Sequence, residues 1–295
     1  MTSNTLPSGP RVVSLVPAAT DILRFLGLEP IGVSHCCEAN GLPVLTRSII
    51  GHGLAQAEID ALVSAAYAQQ SSLYRVDEAL LETLKPDLIL TQGVCEVCAV
   101  TPLEVARATD CLSFNVPALL VNGTRLEDLF DDLRNVAEAL EIDATERIAK
   151  LQMRLEAVRV AVANEPRPRV AVIEWLEPPF LAGHWVPDLL DVAGAESLGV
   201  ALGAASPRAT WAQIADLEPD VLLFSFCGYD LPATLRDLER FALPVQTAQM
   251  QALDSQFFCA LTPKVVRGVE ILAGLLHPTV WDAPSPLEAE QVLRR

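Results

Sequence analysis

The chain has 295 residues, of which 51% are hydrophobic, and its 38 acidic and 21 basic side chains give a formal charge of −17. This length and composition exclude a disordered chain and allow two domains with separate cores. Because no Lys/Arg-rich stretch interrupts the acidic balance, nucleic acid is a poor partner. No segment is an unbroken apolar run of transmembrane length, so membrane insertion is not expected. Residues 1–10 lack the basic and apolar regions of a signal peptide. We therefore expect a cytoplasmic protein, or a periplasmic one whose native signal was removed.

Strands and helices alternate along the first half of the chain. An apolar strand is predicted at 11–16, and Thr20 or Asp21 is a candidate cap for the helix that follows at 22–26. Further short strands are predicted at 31–34, 87–91 and 118–121. This alternation is typical of a parallel sheet, so the first half is assigned to the α/β class.

Two consecutive helices are predicted in the middle of the chain. The capping-box pattern Thr124–Glu127 opens the first, which carries an apolar stripe from Leu126 to Leu140. The second runs from Asp143 to Val162, on the order of 30 Å at the usual rise per residue. We interpret it as a rigid connector between lobes. The predicted domains are an N-terminal lobe at 1–140, a bridging helix at 141–166 and a C-terminal lobe at 167–295.

The second half repeats the pattern of the first. A strand at 170–175 precedes a helix, and a further strand is predicted at 221–226. Leu84–Leu90 matches Leu217–Leu223, and each segment is followed by a cysteine-bearing turn. The predicted fold is therefore two parallel-sheet, Rossmann-like α/β lobes joined by one long helix. Open α/β sheets bind ligands at the carboxyl ends of their strands, so we expect a ligand cleft between the lobes.

Two thiol clusters follow predicted strands of the first half. His35, Cys36 and Cys37 form one, and Cys95 and Cys98 form the other. In a reducing compartment such clusters more often hold a metal or act in redox chemistry than form disulfides. Three thiolates, with an imidazole or a fourth thiolate, suit tetrahedral zinc or an iron–sulfur cluster. A redox dithiol at the Cys-x-x-Cys pair is an open alternative.

Other cysteines and histidines are given structural interpretations. Cys111 and Cys259 are interpreted as small hydrophobic side chains that fill gaps. His184 is a candidate ligand to a bound cobalt or iron, although a hydrogen-bonded pocket histidine is the favoured interpretation. His52 lies between two glycines in a predicted loop, and His277 lies near a helix end, where it complements the helix dipole.

Several segments together resemble one family. The chain is similar, from about Arg11 to Pro278, to the substrate-binding proteins of iron-siderophore and cobalamin transporters. The segments that carry the resemblance are Arg11–Asp21, Leu84–Leu90, Trp185–Asp188 with Ala193–Gly194, and Gly268–Ala273. A cobalamin-binding subgroup is matched more narrowly by Ser34, His35 and Cys37, Ser72–Tyr74, Thr91–Gln92, Cys95–Val100 and Cys227–Asp230. The chain departs from this subgroup at Cys36, at His184 and over 257–263.

The resemblance implies a binding protein rather than an enzyme. Its ligand would be a corrinoid or a related metal chelate, bound as a carrier, sensor or transporter component, with a transporter or an enzyme as the partner protein. A corrin presents a broad, mostly apolar disc, so its pocket needs aromatic faces and a few polar groups. The candidate ligand-binding residues are Tyr74, Gln92, Trp175, His184, Trp185, Cys227, Tyr229 and Phe257.

The alternative is a cysteine-ligated metal or redox protein that uses Cys37, Cys95 and Cys98 chemically. No nucleophile elbow, phosphate-binding loop or His-Glu-x-x-His motif occurs in the sequence. Hydrolytic catalysis therefore has little support from the sequence, and an enzymatic activity is the second interpretation.

Overall fold

The structure is a computed structural model, and it describes residues 9–51, 53–69, 71–94, 100–245, 247 and 249–292. Its contacts divide the chain into two compact units, each made of several segments. Unit 1 consists of Met1–Ile50, Ser71–Asn122 and Asn135–Ile142, and unit 2 of Gly51–Gln70, Gly123–Arg134 and Asp143–Arg295. This division differs from the predicted lobes mainly because 51–70 and 123–134 belong to unit 2.

The elements alternate as the sequence predicts. The strands are β1 Val12–Ser14, β2 Gly32–Val33, β3 Thr46–Ser48, β4 Tyr74–Val76, β5 Leu88–Thr91, β6 Ala118–Leu120, β7 Arg169–Leu176, β8 Pro179–Leu181, β9 Glu196–Ser197, β10 Val221–Phe224, β11 Gln249–Leu253 and β12 Ala289–Gln291. The α-helices are α1 Pro17–Leu26, α2 Gln56–Ala68, α3 Glu78–Leu84, α4 Pro102–Asp110, α5 Asp128–Ala139, α6 Thr145–Val162, α7 Val186–Val192, α8 Trp211–Asp216, α9 Leu231–Arg240 and α10 Val265–Leu276. A 3₁₀ helix covers Ser255–Phe257.

Unit 1 contains a four-stranded parallel sheet in the order β2-β1-β5-β6, and a small antiparallel pair, β3 with β4. Every residue of β1 and β5 is buried, which explains why these strands are continuous apolar runs in the sequence. The predicted cap of α1 is wrong. The helix begins at Pro17, which needs no N–H in the first turn, and no side chain caps it. Thr20 is buried within the helix, which ends at Gly27 in a left-handed conformation.

The start of α5 also differs from the prediction. The predicted capping box at Thr124–Glu127 precedes the helix, which begins at Asp128. The carboxylate of Asp128 accepts hydrogen bonds from the backbone N–H groups of Thr124 (2.8 Å) and Arg125 (2.9 Å). It therefore stabilises the turn before the helix. The predicted apolar stripe from Leu126 to Leu140 is confirmed, since all of its members are buried.

Unit 2 is built on a larger mixed sheet. Its order is β12-β11-β10-β7-β8, with β9 beside β7. The pairs of β10 with β7 and with β11 are parallel, whereas β8 and β12 are antiparallel edge strands. Phe224 and Phe226 are fully buried in the core between the sheet and its helices. The predicted α/β class with parallel sheets is confirmed.

Helix α6 matches the predicted connector helix in extent. It has 18 residues, so it is about 27 Å long at the usual rise. Its buried residues are Ile148, Leu151, Leu155, Val158 and Val162, and the helix packs on α10 and α7. Among the described residues, no helix is both long and apolar enough to cross a membrane.

The predicted internal repeat is present in the hydrogen bonds of the two sheets. In unit 1 the Asp87 carboxylate accepts from the Arg11 N–H (2.8 Å), and the Asp87 N–H donates to the Arg11 carbonyl (2.8 Å). In unit 2 Asp220 and Arg169 make the same two bonds at the same distances. The turns before β5 and β10 also share a residue with positive φ, Lys85 (45°) and Glu218 (48°). The same pair of hydrogen bonds therefore joins the starts of two central strands in each unit.

Candidate functional site

A network of hydroxyl groups lies at the carboxyl end of β1 in unit 1. The Oγ1 atom of buried Thr20 lies 2.8 Å from the Oγ of Ser14 and 3.2 Å from the Sγ of Cys37. The Ser14 hydroxyl donates to the Val16 carbonyl (2.9 Å). Burial raises the pKa of the Cys37 thiol, which the hydrogen bond from Thr20 only partly opposes. Cys37 is therefore mostly a neutral thiol near pH 7.

His35 lies beside this network, and both of its ring nitrogens have neighbours. Its Nδ1 lies 2.6 Å from the Oγ1 of Thr46, which in turn donates to the Ser34 hydroxyl (3.1 Å). Its Nε2 lies 3.2 Å from the Sγ of Cys36. The imidazole therefore joins Thr46 on one side to Cys36 on the other. Cys36 is exposed, whereas Cys37 points toward Thr20.

The predicted zinc or iron–sulfur site gains no support. Within the described ranges, no group of three or more His, Cys, Asp or Glu side chains could hold a metal. His35, Cys36 and Cys37 make separate contacts with hydroxyl groups and with each other. Cys95 and Cys98, the remaining predicted ligands, lie outside the described residues. The same holds for His52.

Tyr74 and Gln92 are the other predicted ligand contacts of unit 1. Tyr74 is 5% exposed, and its ring centroid lies 5.3 Å from that of His35, so packing accounts for most of its surface. Gln92 directly follows β5 and is half-buried. Its neighbour Thr91 is 1% exposed, and its hydroxyl has no hydrogen-bond partner among the described residues. A buried hydroxyl without a partner is a candidate donor to a ligand at this edge.

An aromatic cluster lies at the carboxyl edge of the sheet in unit 2. Trp175 is the penultimate residue of β7, and Tyr229 follows β10. Their ring centroids are 5.9 Å apart at 89°, and Tyr229 makes a second edge-to-face contact of 5.9 Å with Phe226. Trp175 and Tyr229 are both half-buried, so each ring retains some accessible surface. The structure thus places together two of the residues predicted to bind the ligand.

Two residues that the sequence analysis missed hold Tyr229 in place. Burial and the neighbouring Asp237 raise the pKa of Tyr229 to about 12, so its phenol is neutral at physiological pH. Asp237 also accepts from the side-chain amide of Gln56 (3.1 Å). The Gln56 carbonyl accepts from the Leu176 N–H (2.6 Å) at the end of β7. Gln56 is 3% exposed and opens α2, more than 100 positions before β7, and no local pattern indicates this contact.

Trp185 and His184 form a second, more deeply buried pair. Trp185 is 9% exposed, and its indole N–H donates to the Phe258 carbonyl (2.7 Å). The His184 ring lies 5.7 Å from the indole, and burial lowers the pKa of His184, so its imidazole is neutral near pH 7. Phe257 is half-buried in the 3₁₀ helix. A ligand-binding role for these three residues stays a prediction, and Trp175 offers the more accessible indole.

Cys227 and Cys259 lie together at the same edge of unit 2. The Cys259 sulfur is 3.6 Å from both the hydroxyl and the carbonyl oxygen of Ser225. A hydrogen bond with the Cys227 thiol, together with burial, raises the pKa of Cys259 well above its usual value. Cys227 was predicted as a ligand contact, whereas Cys259 was interpreted as a gap-filling hydrophobe. The structure instead pairs the two thiols after β10 and β11.

Solved structures show which fold this is. No family model matches the chain. A periplasmic heme-binding protein from Pseudomonas aeruginosa is 17% identical with a TM-score of 0.71, covering 97% of this chain and 99% of its own. The periplasmic vitamin B12-binding protein of Vibrio cholerae is 19% identical with a TM-score of 0.61, covering 91% and 96%. The periplasmic heme-binding protein RhuT from Roseiflexus sp. RS-1 is 19% identical with a TM-score of 0.64, covering 92% and 99%.

The chain therefore has the fold of periplasmic substrate-binding proteins, and the predicted resemblance is confirmed at the level of fold. At these identities the likeness carries the fold and not the ligand. The prediction of a cytoplasmic protein is corrected, because the structures that share the fold are described as periplasmic. That prediction relied on residues 1–10, of which 1–8 lie outside the described residues.

Proposed function

We propose that this chain is the substrate-binding component of a transporter and that its ligand is a planar metal chelate, with a corrinoid as the specific candidate. One observation carries the proposal, the edge-to-face pair of Trp175 and Tyr229 at the carboxyl edge of unit 2. In open α/β sheets this edge is where ligands bind. The described fold and the vitamin B12- and heme-binding structures that share it agree with this class of ligand.

The chemistry of the edge suits a flat, largely apolar ligand. Edge-to-face packing fixes the orientation of the two rings, so little side-chain entropy is lost when a ligand covers them. The phenol of Tyr229 is neutral at physiological pH, and because its proton is directed to Asp237, its oxygen can accept a hydrogen bond at the rim of a macrocycle. In unit 1, Gln92 and the Thr91 hydroxyl, which has no hydrogen-bond partner within the described ranges, are candidate polar contacts at the end of β5.

A titration of the purified chain tests the proposal. Cyanocobalamin, haemin and a ferric catecholate siderophore are each added while binding is followed by calorimetry and by quenching of tryptophan fluorescence. We expect cyanocobalamin to bind most tightly, with a dissociation constant in the micromolar range or below, about −8 kcal/mol or stronger. Tighter binding of haemin keeps a metal chelate as ligand and replaces the corrinoid. Failure of all three to bind contradicts the proposal.

Substitution of Trp175 tests the site within that proposal. We expect Trp175→Ala to weaken binding about tenfold or more, which corresponds to about 1.4 kcal/mol. Trp281→Ala is the matched control, because Trp281 follows α10, and α10 ends at the edge of the sheet opposite the proposed site. The end of α10 lies near the start of β11, where the Gln249 side chain donates to the Leu275 carbonyl (3.2 Å), at the opposite edge of the sheet. Equal loss of affinity in both variants would show that the ligand does not bind at the carboxyl edge.

A further inference from the structure

Unit 2 holds a pair of thiols that ligand binding alone does not explain. Cys227 and Cys259 are 32 positions apart in the sequence, and the chain between them contains α9, β11 and the 3₁₀ helix. Both carry reduced thiols, and neither residue is fully buried. Their thiols are hydrogen-bonded to each other, and Ser225 contacts the Cys259 sulfur from one side. The fold therefore brings two reactive groups into contact without joining them.

We propose that Cys227 and Cys259 are a dithiol site that forms a reversible intramolecular disulfide by exchange with a small-molecule disulfide such as oxidised glutathione. The first protein thiol, as its thiolate, attacks one sulfur of the reagent, and one reagent thiol leaves. The second protein thiolate then attacks the mixed disulfide, and the other reagent thiol leaves. The two cysteines are thereby oxidised and one reagent disulfide is reduced to two thiols, so atoms and electrons balance.

The surroundings of the pair set the order of attack. The Cys259 sulfur lies 3.6 Å from both oxygens of Ser225, whereas Cys227 stands in the turn after β10, directly before exposed Gly228. Cys227 therefore attacks the reagent first, and Cys259 closes the protein disulfide. The new bond would tie the turn after β10 to the segment after β11, beside Tyr229, which lies two positions beyond Cys227. The site thus goes beyond ligand binding and does not depend on which ligand the edge takes.

Peptide mapping of the full-length chain tests the site. The folded protein is equilibrated with reduced and oxidised glutathione, free thiols are blocked with N-ethylmaleimide, and the chain is digested with trypsin without reduction. Cleavage after Arg208, Arg236, Arg240 and Lys264 leaves Cys227 and Cys259 as the single cysteines of peptides 209–236 and 241–264. We expect the linked pair of these peptides to exceed any other pairing of the seven cysteines about tenfold, and excess reduced glutathione to remove it.

Single substitutions separate the two roles. In Cys259→Ser, Cys227 should accumulate as a mixed disulfide with glutathione, whereas in Cys227→Ser, Cys259, whose sulfur stays packed against Ser225, should form roughly ten times less of it. Cys111→Ser is the control, because Cys111 is an exposed thiol of unit 1 and its loss should leave the link unchanged. A folded protein without the 227–259 link overturns the proposal. So does a link that forms in equal yield in guanidinium-unfolded chains, since the fold would then not be its cause.

Discussion

The carboxyl edges of the two units rest on equivalent strand frames but are lined by different chemistry. In unit 1 the residues after β1 and β2 are joined through hydroxyl groups, with Thr20 and Thr46 at the centres of the network. In unit 2 the residues around the ends of β7 and β10 are aromatic and sulfur-bearing, as Trp175 and Cys227 illustrate. Because the same Arg–Asp hydrogen bonds start the central strands of both units, the units differ in the side chains near the strand ends and not in how the strands begin. The two units therefore share the way their central strands are held together but carry different side chains at the strand ends.

Among the substitutions that test this comparison, Trp185→Ala should change the free energy of unfolding most. The side chain is 9% exposed and holds the Phe258 carbonyl through its N–H (2.7 Å), so Trp185→Ala leaves a cavity and an unpaired carbonyl. We expect a loss of about 3–5 kcal/mol in the free energy of unfolding. Urea titration followed by tryptophan fluorescence measures it, with Trp281→Ala as the control. All four tryptophans, at 175, 185, 211 and 281, lie in unit 2, so the signal reports that unit.

A small loss, within about 1 kcal/mol of the control, would contradict packing of unit 2 through Trp185. That result would instead favour the ligand-facing role predicted for Trp185 from the sequence. Binding of the chelate by the Trp185→Phe variant then decides whether the indole contacts the ligand.

Acid should weaken unit 2 through the Glu288 ion pair. Glu288 and Arg267 form a bidentate contact (2.7 and 2.9 Å) that lowers the pKa of Glu288 from 4.5 to about 2. A depressed folded-state pKa stabilises the protein above pH 4.5, and this contribution is lost as the pH falls toward 2. We expect Glu288→Gln to cost about 1 kcal/mol at pH 7, and the difference from the wild type to vanish near pH 2.

Urea titrations between pH 2 and 7, with Glu290→Gln on the neighbouring strand as the control, measure this dependence. Tryptophan fluorescence follows unit 2, and amide hydrogen exchange in β1 follows unit 1. A pH-independent difference between Glu288→Gln and the wild type would mean that the ion pair does not stabilise the fold.

Two buried threonines, one in each unit, allow the stability contributed by the hydroxyl network to be compared directly, and the expected difference is the smallest of the three. Thr20 in α1 and Thr234 in α9 are 2% and 0% exposed, and each follows a central strand of its unit. The Thr20 hydroxyl contacts Ser14 and Cys37, whereas the Thr234 hydroxyl has no partner in the described part of the chain. We expect Thr20→Val to lose about 1 kcal/mol and Thr234→Val to change stability by less than about 0.5 kcal/mol, or to increase it.

Urea unfolding followed by far-ultraviolet circular dichroism compares the two valine variants directly. Equal losses would show that the hydroxyl network adds nothing beyond threonine packing, and the contrast between the two edges would then be one of composition only.

The strands could be predicted because their signal is local. Residues 12–13, 88–90 and 221–224 are continuous apolar runs, and both faces of each strand are buried. The start of α1 was missed because Pro17, rather than a capping side chain, opens it. The aromatic residues of the edge could be chosen because Trp175 ends one predicted strand and Tyr229 closely follows another. The contact of Gln56 with Leu176 and the pairing of Cys227 with Cys259 are set by tertiary packing, which leaves no pattern in the sequence.

Unit 2 is made of three separate segments of the chain, and this limits where the chain can be cut to produce the unit as a fragment. Arg125 lies in one of the upstream segments of unit 2 and donates two hydrogen bonds of 2.7 Å to the Asp188 carboxylate, whose side chain is 13% exposed. Gln56 lies in the other and receives the Leu176 N–H. A fragment that begins at residue 143 therefore encodes the whole large sheet but leaves this carboxylate and this N–H without their partners. During synthesis both upstream segments leave the ribosome before β7 and α7, which carry their partners Leu176 and Asp188. Neither contact can form until those elements have been made.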